Sequence, residues 1–165
     1  MRTVIVYFSK FGNTKRLAEA MAETMTSAGE ARAIDIDKLS PSDLEGADLV
    51  VVGSPTHAFS IPQAVRTALG ALPRSILSAK SVAAFDTTVQ RWPFRSLRAS
   101  PKLLARLTRL GGDPVAKPET FYVHMKNPEK TGDPNLLHDG ELDRASTWAT
   151  QIAEQAKSRE ISRDS

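Results

Sequence analysis

The chain contains no cysteine. Disulfides, thiolate nucleophiles and cysteine-ligated metals are thereby excluded, and a cytoplasmic setting is the expectation. Long apolar runs are missing as well: nothing approaches the roughly 20 residues that a membrane-spanning helix needs, so no membrane span is expected. Residues 1–9 run straight into a strand-like pattern and do not resemble a secretory leader. A strong excess of one charge is also lacking. The 22 Lys and Arg against 19 Asp and Glu leave a formal charge of +3, far from the clustered basic footprint of a nucleic-acid reader, and no nucleic-acid partner is expected. One stretch does concentrate positive charge: Arg91, Arg95, Arg98, Lys102, Arg106 and Arg109. It reads first as a solvated helix face and second as a docking patch for an acidic partner or an anionic substrate.

Several ligand-binding signatures are absent too. No GxGxxG dinucleotide fingerprint follows the first strand-like segment, and no Gly-Lys-Ser/Thr closes a nucleotide P-loop anywhere in the chain. A phospho-acceptor receiver would need carboxylates where the first and third strands end, and Ser9 and Gly53-Ser54 stand there instead.

What is present is alternation. Residues 3–9 (TVIVYFS), 31–36 (ARAIDI), 48–53 (DLVVVG), 81–85 (SVAAF) and 120–124 (TFYVH) are short β-rich runs and predict five strands. Between them, Leu17, Met21, Met25 and Ala28 recur on one face of a helix over residues 13–28, and a second helix is expected over 62–72. Ser100 as cap and Pro101 at the first helical position predict the start of a further helix, which Gly111-Gly112 closes. Leu142, Ala145, Trp148, Ile152 and Ala156 mark a last helix over 141–157, preceded by a polar loop over 125–138. At 165 residues without internal repeats, one domain over 1–157 is expected, followed by a disordered charged tail at 158–165.

Strands alternating with helices argue for an α/β protein: a three-layer, doubly wound, five-stranded parallel sheet in the order 2-1-3-4-5. In that order a ligand crevice opens beyond the carboxyl ends of strands 1 and 3. Function is therefore expected in three loops, at residues 9–14, 54–60 and 86–92. The first, Ser9-Lys10-Phe11-Gly12-Asn13-Thr14, offers hydroxyls, an amide, a glycine and the free amides of a helix start. A phosphate monoester is well served by such a set, and a plain strand–helix turn capped by Asn13 reads the same residues equally well.

Taken together, the three loops resemble those of the flavodoxin family. Ser9-x-x-Gly12-Asn13-Thr14 is similar to the flavodoxin phosphate loop, Gly53-Ser54-Pro55-Thr56 to the second flavin-contacting loop, and Phe85-Asp86-Thr87-Thr88 to the start of the third. The resemblance implies FMN as cofactor; the residues themselves suggest no metal site. Ser9, Gly12, Asn13 and Thr14 would hold its phosphate, with Lys10 contributing through its backbone and Phe11 standing where the family usually has another hydroxyl. Pro55, Thr56, His57 and Phe59 would line one side of the flavin ring, and Thr87, Thr88 and Trp92 the other.

A second departure lies in His57-Ala58-Phe59-Ser60, which lacks the glycine whose peptide, in flavodoxins, turns towards the reduced ring. The expected activity is an FMN-dependent oxidoreductase passing electrons from a reduced donor to a quinone-like or protein acceptor, with a one-electron shuttle and a weakly binding, non-catalytic domain as alternatives. His57 reads as either a hydrogen-bond donor near the ring or a surface residue. His124 and His138 are expected to be structural residues, too scattered to form a metal site, and Trp148 a core residue.

Overall fold

The computed structural model describes residues 1–57, 60–89, 98–125 and 134–163, with Arg163 described in its backbone alone. The chain runs β1 (Arg2–Tyr7), α1 (Asn13–Met25), β2 (Glu30–Asp35), α2 (Pro41–Leu44), β3 (Leu49–Pro55), α3 (Gln63–Ala71), β4 (Ser81–Val89), α4 (Ala99–Arg109), β5 (Asp113–Pro114), β6 (Glu119–Val123) and α5 (Glu141–Arg163). All strand pairs of the sheet are parallel, in the order β2-β1-β3-β4, with β5 and β6 lying in succession along the outer side of β4.

The expected order is therefore present, but its fifth place is filled by two pieces. Pro114 pairs with Val82 and Glu119 with Phe85, so the chain takes five steps where β4 takes three. The excess bulges out of the ladder beside Pro118, which has no N–H to give it.

The alternation of each strand sets up two cores. Ile5, Tyr7, Leu49, Val51, Ala83 and Phe85 face α1 and α5, where Leu17, Met21, Met25, Trp148 and Ile152 close over them. Val4, Val6, Val50, Val52, Val82 and Ala84 point the other way, against Val65 and Leu69 of α3 and Leu103 and Leu107 of α4. A large apolar side chain buried this way contributes about 1.5–3 kcal/mol, so the two-sided runs read from β1 and β3 dictate a sheet covered on both faces. Phe85, Phe121 and Trp148 meet edge to face, with centroids 5.8 to 6.3 Å apart. Trp148 is thus the core residue its helical stripe predicts. On the second face, α2 is held by Asp43, whose carboxylate accepts from the Ser40 N–H at 2.9 Å and the Ser40 hydroxyl at 2.8 Å. Those bonds hold its pKa below the usual carboxylate value, the backbone N–H contributing most.

Four expected boundaries move. β3 extends to Pro55 and β4 to Val89, so Pro55, Thr87 and Thr88 lie on strand ends rather than in loops. α4 begins at Ala99, one residue before the predicted Ser100 cap. The last helix does not stop at Lys157. It continues to Arg163, so most of the segment expected as a disordered tail is helical.

Candidate functional site

The register fixes where the loops emerge. Tyr7 pairs with Gly53, and Gly53 with Phe85, so β1, β3 and β4 end side by side. The Phe8 N–H donates to the Gly53 carbonyl at 3.0 Å and the Thr56 N–H to the Thr87 carbonyl at 2.9 Å, which carries the pairing into the loops. Gly53 is required at this level: a Cβ there would stand 2.1 Å from Cζ of Phe85. Beyond the strand ends opens a cleft of about 370 Å³, lined among the described residues by Ser9, Lys10, Phe11, Asn13, Thr14, Pro55, Thr56, His57, Thr87 and Thr88. Phe8, Pro62, Gln63, Ala64, Val89, Val123 and Leu136 complete the described walls.

Each predicted residue can now be placed. Gly12 precedes α1 with φ at 89°, a left-handed conformation that glycine alone adopts without strain, and the space where a Cβ would project is open. The first bond of α1 runs from the Arg16 N–H to the Gly12 carbonyl at 3.0 Å, so the amides of Asn13, Thr14 and Lys15 precede the helical ladder. The Ser9 hydroxyl is buried and has no hydrogen-bond partner among the described residues. A buried unpartnered hydroxyl beside free helix-start amides is the donor set of an anion cradle. Thr14 Oγ1 and Thr87 Oγ1 share a buried hydrogen bond of 3.1 Å, joining the first loop to β4. Phe11 is 37% exposed, with the Lys10 ammonium 5.1 Å above its ring, so it forms the rim rather than the floor. His57 is exposed at the mouth, and it exchanges both backbone hydrogen bonds with Ser60, at 3.0 and 2.9 Å. Phe59 and Trp92 lie outside the described residues, as do Arg91 and Arg95.

Two side chains do other work than their motif implies. Asn13 is engaged with the segment ahead of α5: its Nδ2 donates to the Pro134 carbonyl at 3.1 Å, and its Oδ1 accepts from the Leu136 N–H at 3.0 Å. Arg16 donates to the side-chain oxygen of Asn135 beside it. Any anion contact from Asn13 is left to its backbone. Thr56 Oγ1 donates to Asp86 Oδ2 at 2.9 Å and accepts from the Ala99 N–H at 2.8 Å, while the Ser100 N–H donates to the same carboxylate oxygen at 3.0 Å. Asp86, fully buried, therefore caps α4 from across the sheet, replacing the cap expected of Ser100. A carboxylate at a helix N-terminus is favoured by the helix dipole as well. Neither Asp86 nor the Asn13 anchor was legible beforehand. An aspartate directly after the apolar run SVAAF was the available signal for the first; the second joins residues more than a hundred positions apart.

Two other sequence readings are corrected. His124 and His138 are stacked, with ring centroids 4.1 Å apart. The segment before α5 returns antiparallel to β6, the His124 N–H donating to the Leu136 carbonyl at 2.7 Å and the His138 N–H to the Tyr122 carbonyl at 3.0 Å. Among the described residues no group of three potential metal ligands forms. The basic stretch is no uniform wet face either: Arg98 is only 9% exposed, with its guanidinium 5.8 Å from the Tyr122 ring centre.

A doubly wound sheet whose first helix starts at a cleft between the ends of the first, third and fourth strands defines a flavodoxin-like fold. The family model described as Flavodoxin matches residues 5–148, and the chain belongs to the flavodoxin family. It is similar to a flavodoxin of Clostridium saccharobutylicum, 26% identical over 157 residues that cover 86% of this chain and 94% of that protein. A protein of Thermosynechococcus vestitus, provisionally named diflavin flavoprotein A 2, is 34% identical over 74 residues, 42% of this chain but 13% of that protein. Among solved structures, a flavodoxin from the domain Archaea superposes with a TM-score of 0.74 at 21% identity, covering 95% of this chain and 99% of the other. Rubredoxin oxygen:oxidoreductase from Desulfovibrio gigas gives 0.73 at 23% identity, covering 95% of this chain but 36% of that one. The chain thus spans a minor part of the two larger proteins. FMN is the cofactor of the family, and the chain is an FMN flavoprotein of redox chemistry. Among the described residues, no helix is long and apolar enough to cross a membrane.

Proposed function

We propose that the chain binds FMN in this cleft and acts as an oxidoreductase, passing electrons from a reduced donor to a quinone-like or protein acceptor predominantly in pairs. The observation that carries the cofactor assignment is the unpartnered, buried Ser9 hydroxyl beside the open amides of Gly12, Asn13 and Thr14. Those groups would hold the phosphate. Pro55, Thr56 and His57 would flank the ring on one side, and Thr87 and Thr88 on the other. When bound, FMN supplies a ring that accepts electrons or hydride; the protein binds it, orients it and limits access.

Preference for paired electrons rests on the second loop. The His57 carbonyl accepts from the Ser60 N–H, and the His57 N–H donates to the Ser60 carbonyl. Turning the peptide after His57 would break one of these bonds, and no glycine in the loop eases the turn. Each effect is worth about 1 kcal/mol. Stepwise dithionite titration of the FMN-loaded protein, followed by visible spectra, is expected to show little long-wavelength absorbance at half reduction. A large blue band there would return the protein to one-electron shuttles.

The Thr14 hydroxyl supplies a separate check. Thr14→Ala is expected to weaken FMN binding by about 1–3 kcal/mol, as when a charged acceptor loses a buried donor. An unchanged dissociation constant would mean that Thr14 serves only its bond to Thr87.

A further inference from the structure

The helices that begin at the flavin cleft end at a second concave surface. Gln63, at the start of α3, lines the cleft, and the Ala99 amide, at the start of α4, bonds Thr56. Their 9 and 11 residues then run roughly 13–16 Å away from it. There Arg74, Arg106 and Arg109 surround a hollow of about 460 Å³ whose floor is formed by Leu69, Leu72 and Leu110. Among the described residues, no acidic side chain lines it. Among the described residues, none of these three arginines is in an ion pair, whereas Arg2, Lys15, Arg32, Arg144 and Arg159 all are.

The arrangement is held in place. Arg74 opens a turn in which the Ile76 N–H donates to the Pro73 carbonyl at 3.2 Å and the Ser78 N–H to the Ser75 carbonyl at 2.9 Å. The same turn is pinned to the end of α4 by the Leu77 N–H donating to the Leu110 carbonyl at 3.1 Å. Ser75, next to Arg74, has φ at 70° without being glycine, a left-handed conformation that L side chains disfavour. Compensation of the α4 dipole accounts for Arg106 and Arg109 in the last turn. It accounts neither for Arg74, which comes from outside that helix, nor for the strained turn that presents it.

We propose that this hollow docks an acidic protein segment, with carboxylates on the three arginines and an apolar side chain on the leucine floor, at the pole away from the flavin cleft. The chemistry distinguishes this ligand from a compact phosphate. Both helices present their carboxyl ends here, where carbonyls rather than N–H groups face outward, so the backbone donors of a phosphate cradle are missing. Separate guanidiniums suit separate carboxylates, each capable of a two-pronged pair. A partner bound there leaves the flavin edge open to a second molecule.

The test is a binding titration on the FMN-loaded protein with a short fluorescent peptide of glutamates interrupted by leucines, and in parallel with inorganic pyrophosphate. The proposal expects peptide binding that weakens with salt, with amide shifts confined to the ends of α3 and α4. The triple variant R74E/R106E/R109E should lose about tenfold or more in peptide affinity while keeping its FMN affinity and circular dichroism. K38E/K117E/K157E, the same charge change on other exposed lysines, should lose about twofold at most. Equal losses in the two variants would make the effect one of net charge and overturn the proposal. So would absence of peptide binding, peptide shifts at the flavin cleft, or pyrophosphate binding on the arginines in preference to the peptide.

Discussion

Replacing Phe85 by alanine is expected to lower the stability of the protein by about 3–5 kcal/mol in urea unfolding, the range for deleting a buried phenyl ring from a packed core. Phe85 is fully buried, sits edge-on to Phe121 and Trp148, and covers the face of Gly53 on the neighbouring strand. No neighbour can fill the space, because Gly53 offers no side chain and the two aromatic partners are held by their own helix and strand. The ring stands one residue below Asp86, the cap of α4, and two below Thr87, which lines the cleft. The variant should therefore also bind FMN less well at temperatures where it remains folded. A loss below about 1 kcal/mol, typical of a surface change, would mean that the aromatic cluster does not organise this end of the sheet.

The second large effect is expected at Asn13. Its side chain is the clasp between the first loop and the segment before α5, and Leu136, which it holds, forms part of the cleft wall. Asn13→Ala leaves the Leu136 N–H and the Pro134 carbonyl without partners, and should weaken FMN binding by about 1–3 kcal/mol. Asn13→Asp is the sharper variant. Its carboxylate can still accept from Leu136, but it places an acceptor against the Pro134 carbonyl and a negative charge beside the phosphate cradle. Repulsion at close range should make it the worse of the two by about 1 kcal/mol or more. Titration of each variant with FMN checks the order: if aspartate binds as well as asparagine, the phosphate does not lie near this position.

The sequence made the architecture legible because each strand carries its own period. Val4 to Tyr7 and Leu49 to Val52 are apolar at every position, which only a sheet covered on both faces can satisfy, and the order of elements then places their loops together. The fifth strand was legible as one run, 120–124, and not as two. Asp113-Pro114 is too short to show a period, and the bulge before Glu119 depends on register against β4. In the site, the backbone of the first loop was readable from Gly12 and the polar residues around it. The tasks of Asn13 and Thr56 were not, because their partners, Leu136 and Asp86, are 123 and 30 residues away. Side chains that suit a ligand equally suit a distant backbone, and local sequence does not choose between them. The histidine pair was missed for the same reason: His124 and His138 meet only because the chain doubles back along β6.

The most direct measurement is calorimetric titration of the FMN-free protein with FMN and with riboflavin, on the natural chain and on Ser9→Ala. Two or more charge-assisted bonds to the phosphate, each worth about 1.5–3 kcal/mol, should make FMN bind at least about a hundredfold more tightly. Ser9→Ala should reduce that ratio by about tenfold or more while leaving riboflavin affinity unchanged. Equal affinities for FMN and riboflavin, or a ratio that Ser9→Ala does not move, would contradict a phosphate cradle at the start of α1.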